Sequence, residues 1–98
     1  MTAESPFEKL QLWYRDQCDG EWEHHYGIRI DTLDNPGWDV QIDIAGTSLA
    51  KRPFLAVKTE RTGEAWCSCW VDDEKFRATC GVLNLSEAIQ TFLRWANS

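Results

Sequence analysis

Between Gly37 and Ala45 the chain reads Trp-Asp-Val-Gln-Ile-Asp-Ile, apolar at 38, 40, 42 and 44 and polar at 39, 41 and 43. A period of two is the signature of a β-strand, whose successive side chains point to opposite sides. A chain carrying this run must therefore build a sheet with one buried and one polar face. Upstream, Tyr26, Ile28 and Ile30 alternate with Gly27, Arg29 and Asp31, which predicts a partner strand over about 26–31. Asp34-Asn35-Pro36-Gly37 between them has turn chemistry: proline presets φ and glycine tolerates positive φ. The two strands form a hairpin whose polar face carries Asp31, Asp39 and Asp43 with Arg29.

Ala45-Gly46-Thr47 breaks the run, and an irregular stretch continues through Lys51-Arg52-Pro53. Three further strands are expected over about 54–60, 65–71 and 75–80, separated by Arg61-Thr62-Gly63-Glu64 and by Asp72-Asp73-Glu74. Helical spacing appears only at the two ends. Ser5-Pro6-Phe7-Glu8 reads as a capping box with proline at the first helical position. Phe7, Leu10, Trp13 or Tyr14, and Cys18 then recur at helical intervals, so a helix over about 6–17 is predicted, ended by Asp19-Gly20. After Gly81 to Leu83, with Asn84 as cap, Leu85, Ala88, Ile89, Phe92, Leu93 and Ala96 form one apolar stripe.

The element order is helix, five strands, helix. Short connections favour a five-stranded antiparallel meander, and one apolar sheet face needs cover from both helices. The expected fold is α+β: a two-layer sandwich with the N- and C-terminal helices packed on one face, in one domain over residues 1–98. A fifth strand left at the edge would be open to pairing with a second chain, and oligomeric state is otherwise not written in the sequence.

The net charge of −6 is unevenly spread. Through residue 45 ten carboxylates face only Lys9, Arg15 and Arg29, whereas beyond it six acids face seven cations. Such a surface makes nucleic acid a poor partner and a basic protein a good one. No apolar run is long enough for a membrane span, and MTAESPFEKLQLWYRDQ lacks a basic segment followed by an apolar one. The chain is therefore expected in the cytoplasm, with Cys18, Cys67, Cys69 and Cys80 reduced.

Residues 18–27, CDGEWEHHYG, hold the densest chemistry. Cys18 with His24 or His25 has the ingredients of an activated thiol, yet Cys18 falls on the apolar register of a helix C-terminus, where the dipole disfavours a thiolate. Cys67, Cys69 and Cys80, with His24, could be zinc ligands, but a C-x-C strand lacks the zinc-knuckle spacing, and Cys67, Cys69 and Val71 share one core-like face opposite Trp66, Ser68 and Trp70. Asp19, Glu21 and Glu23 do not follow the calcium-loop order. No phosphate loop, nucleophile elbow or H-E-x-x-H helix is present, and a domain this small offers little depth for a carboxylate-pair cleft. No metal and no cofactor is expected. Trp13, Trp38 and Trp95 read as core, whereas Trp22, flanked by Glu21 and Glu23, either plugs the end of the sheet or anchors a partner.

Leu10-x-x-Trp13-Tyr14, the CDGEWEHxYG stretch, TLDNPGW at 32–38 and IDIxGT at 42–47 together resemble the immunity protein 53 family, as does the closing NLxExIxxFLxW at 84–95. The three C-terminal cysteines are not part of that likeness. The resemblance implies a single immunity-protein-like domain, a bacterial inhibitor encoded beside a polymorphic toxin and acting by protein–protein binding rather than catalysis. Its partner would be a cognate toxin domain, basic by charge complementarity, for which a nuclease is the fitting class. The interface expected here is Asp19, Glu21, Trp22, Glu23, His24 and Asp34, with the hairpin face Asp31, Asp39 and Asp43 as a second patch. The alternatives are a small metal- or ligand-binding module, or a small thiol/His enzyme using the loop around residues 18–26.

Overall fold

The computed structural model describes residues 5–98; Glu4, one of the acids counted above, and the rest of the first four residues of the MTAESPFEKLQLWYRDQ segment lie outside them. Helix α1 spans Pro6–Gln17 and opens as its sequence dictates: the Ser5 hydroxyl accepts from the Glu8 backbone N–H, and the Glu8 carboxylate accepts from the Ser5 N–H, both at 3.2 Å. A one-turn helix, α2 (Trp22–His25), follows; it falls within the stretch expected to be loop. Five strands come next, β1 (Ile28–Leu33), β2 (Gly37–Asp43), β3 (Val57–Glu60), β4 (Trp66–Asp72) and β5 (Lys75–Cys80), and helix α3 (Leu85–Ala96) closes the chain. Among the described residues no helix is long and apolar enough to cross a membrane.

The fold class is the expected α+β, with an antiparallel five-stranded sheet and the terminal helices flanking it. The strand order differs from a simple meander. It is β1-β2-β5-β4-β3: β5 lies between β2 and β4, and the edges are β1 and β3. Burial explains the insertion. Phe76, Ala78 and Cys80 of β5 are wholly buried, which an edge strand would not achieve. The link from β2 to β3 is long enough to cross to the far edge, and it contributes to the core on the way. Leu49 is buried, Phe54 packs on Phe76 and Trp95, and Arg52 donates to the carbonyls of Trp95, Ala96 and Ser98 at the end of α3.

Register sorts the sheet into two faces. Val40 pairs with Ala78, Ile42 with Phe76, Cys67 with Cys80 and Cys69 with Ala78, all buried. These side chains share one core with Leu10 of α1 and with Ala88, Ile89, Phe92, Leu93 and Trp95 of α3. The opposite face carries Asp31, Asp39, Gln41, Arg77, Thr79, Ser68 and Trp70. Three edge-to-face and tilted aromatic contacts, from Trp13 through Phe92 and Phe76 to Phe54, knit helices and sheet together.

Candidate functional site

The loop after α1 is held by its own carboxylates. Asp19 Oδ1 accepts from the backbone N–H groups of Glu21 and Trp22, each at 2.9 Å, and starts α2. The Glu23 carboxylate reaches back to the N–H groups of Asp19 and Gly20 at 3.0 and 2.9 Å. Donors aimed at charged oxygens favour the ionised form. The N–H groups of Trp22 and then Glu21 hold Asp19 below the usual carboxylate range, and backbone N–H groups, its own first, do the same for Glu23.

This folding turns Trp22 inward. It is only 6% exposed, its indole Nε1 donates to the Ala45 carbonyl at 2.8 Å, and its ring meets those of Trp13, Tyr14 and Tyr26. Gly46, at φ +75°, lies beneath it; a Cβ there would come within 3.3 Å of Trp22 Cδ1. Of the two roles open to Trp22, the plug is the one its burial fits. Between the acids and the indole, the loop is a clasp fastening α1 to the end of β2.

Cys18 is half-buried and its thiol donates to the Tyr14 carbonyl at 3.3 Å, while His24 and His25 are exposed. Cys67, Cys69 and Cys80 are free thiols within the core. Burial pushes Cys80 up to about 12, and the hydrogen bond to Cys67 followed by burial raises Cys69. Among the described residues no group of three or more His, Cys, Asp and Glu side chains is placed to hold a metal ion.

The hairpin acids divide. Asp43 is committed: it accepts from the Gly27 N–H at 2.9 Å and pairs with Lys75 at 3.0 Å. Asp31 and Asp39 stand directly opposite each other on β1 and β2, on the face that no helix covers. Like charges so placed repel, so the pair disfavours the fold locally. Asp39 Oδ1 is shielded from solvent yet has no hydrogen-bond partner, and the same holds for Nε of Arg77 nearby in the sheet. The Arg77 guanidinium lies 5.7 Å from the centre of the Trp70 ring. Asp34, in the hairpin turn, is exposed, as is Glu21.

The structure therefore gathers the nine expected interface residues into two groups. Asp19, Trp22, Glu23 and Asp43 hold the protein's own backbone; Glu21, His24, Asp31, Asp34 and Asp39 leave polar atoms facing outward or unpartnered. The aromatic part of the open face, Trp66 and Trp70 beside Arg77, was not among the expected residues. Its signal was present in the sequence, because alternation already set Trp66, Ser68 and Trp70 opposite the cysteines.

Residues 7–97 match the family model described as Immunity protein 53. No curated protein and no solved structure matches the chain.

Proposed function

The chain belongs to the immunity protein 53 family, and from that premise we propose that it binds a cognate bacterial toxin and neutralises it by covering a surface the toxin needs, without catalysis. The observation that best supports a location is the Asp31–Asp39 pair on the open sheet face. Its mutual repulsion and the unpartnered Asp39 oxygen are relieved when a lysine or arginine of a partner enters between the two carboxylates. Glu21 and Asp34 add exposed carboxylates and His24 an exposed imidazole, while Asp19, Trp22, Glu23 and Asp43 keep the framework in place. A basic toxin is the complementary partner, and a nuclease is the class whose substrate demands that basicity. Carboxylates would then stand where phosphates of the substrate lie.

The test uses the toxin domain encoded beside this protein. Co-expression should restore growth of cells making that domain, and the purified proteins should form a complex. Glu21→Lys combined with Asp31→Lys changes two exposed residues, so the thermal midpoint should hold while affinity falls by about tenfold or more. Full protection by the double variant would move the interface off this surface.

A further inference from the structure

At the turn end of the sheet, a groove of about 550 Å³ lies between the hairpin turn at Asn35 and Pro36, the Thr62–Ala65 segment, Trp66, and the Gly81–Asn84 link into α3. We infer that this groove is the apolar anchor of the toxin interface, receiving a large apolar side chain from a basic segment of the toxin. The inference rests on the toxin-binding reading above and adds a surface to it.

The link is built to hold apolar residues outward. Val82 is 49% and Leu83 91% exposed. Singly exposed leucines are ordinary; these two sit on a backbone fixed at four points. Gly81 N–H donates to Trp66 O at 2.9 Å, Trp38 Nε1 to Val82 O at 2.9 Å, Asn84 N–H to Gly81 O at 3.0 Å, and Trp66 N–H to Asn84 Oδ1 at 3.3 Å. Gly81 is required for the fit, since a Cβ there would collide with the Glu64 carbonyl oxygen and lie 2.7 Å from Asn84 Oδ1. A rigid rim with a tryptophan wall and protruding aliphatic side chains is the anatomy of a binding hot spot, where little ordering remains to be done on association.

Charge selects the occupant. Glu64 lines the groove and Asp34 adjoins it, both exposed, and no cation of the described chain pairs with either. The nearby Arg61 is engaged by Glu87 in two hydrogen bonds, at 2.9 and 3.0 Å. An incoming apolar side chain flanked by lysine or arginine meets both needs. The acid pair lies on the same hairpin as the groove, Asp39 being three residues along the chain from Pro36 of its wall. Glu21 and His24 lie at the opposite end of the sheet, so the groove and the loop can be tested separately.

Leu83→Arg adds a cation where a basic partner would dock and alters a side chain that contributes almost nothing to the core. It should weaken binding to the neighbouring toxin domain by about 30-fold or more at an unchanged thermal midpoint. Leu55→Arg, at a position 88% exposed beyond the other end of the sheet, should bind as the wild type does. Amide exchange of the wild-type complex reads the same surface without a substitution: the Val82 and Leu83 amides should slow on binding. A wild-type chain that binds the toxin while Leu83→Arg binds equally well, or while those amides exchange unchanged, overturns the groove and leaves the immunity reading standing. A wild-type chain that binds no toxin domain overturns both.

Discussion

Trp22 has two glutamates for neighbours in the chain and three aromatic rings for neighbours in space. Replacing it with alanine removes a buried indole, strands the Ala45 carbonyl and leaves the clasp without its fastening. Trp22→Ala should cost about 3–5 kcal/mol, measured by denaturant unfolding with an unchanged slope. If Trp22 were instead a partner anchor, stability would hold and only toxin binding would suffer. The carboxylates make a second residue-scale statement. Glu87 is held below the usual range by its hydrogen bonds with Arg61, then by Asn84 and the Arg61 charge, and Asp19 and Glu23 are lowered by backbone donors. For acids depressed in the folded state, the stabilisation is complete above the ordinary carboxylate range and disappears as the pH falls through the folded pKa. Thermal midpoints should therefore stay level from pH 7 to about 5 and fall below about 4, with Glu87→Gln showing a shallower fall. The core face of Cys67, Cys69 and Val71 could be read from alternation alone. The backbone contacts of Asp19 and Glu23 could not, because they arise only when the loop closes on itself and brings backbone donors to the side chains.

At the scale of elements, periodicity carried most of the information. The apolar stripe from Leu85 to Ala96 and the capping box at Ser5 place α3 and α1 within a residue of where they form, and β5 spans the expected residues. Two features escaped. Helix α2 is a single turn, too short to have a period, and it forms where Asp19 accepts from the Glu21 and Trp22 N–H groups and Trp22 is pulled inward. Strand order is likewise invisible to periodicity, since alternation says which face is buried but not which strand is central; β5 takes the middle because its inward residues need cover on both sides. The β4–β5 turn retains strain. Asp73 and Glu74 both have positive φ, at 53° and 56°, the geometry of the two-residue hairpin turn that favours Asp-Gly. Asp adopts that region readily, whereas Glu does not. The Glu74 carbonyl accepts from the Ile44 N–H, a backbone bond that glycine retains. Glu74→Gly should raise stability by about 0.5–1 kcal/mol, seen as a higher denaturant midpoint, and leave toxin binding untouched.

Across the whole molecule, the sixteen acids are not balanced by ion pairs. Four salt bridges link described residues, and Arg15–Asp16 and Lys58–Glu60 are largely solvated. Exposed pairs of that kind contribute little to stability. The remaining acids of the first half, Glu21, Asp31, Asp34 and Asp39 among them, raise self-repulsion and confer no gain within the isolated fold. Their expected use is in the encounter with a basic partner, where a one-signed field speeds approach more than it tightens the final complex. Groove and acids would then divide the work: Leu83, Val82 and Trp66 govern how long the complex lasts, and the carboxylates govern how fast it forms. Stopped-flow association with the toxin domain separates the two. The association rate of the wild type should fall by on the order of tenfold or more between low and physiological salt, because screening shortens the reach of the field to about 8 Å. Glu21→Lys with Asp31→Lys should lower the rate at low salt and flatten its salt dependence. Leu83→Arg should act mainly on dissociation, so that its complexes fall apart faster at every salt concentration. A wild-type association rate indifferent to salt would remove the steering role from the acidic half and leave its charge without a function in binding.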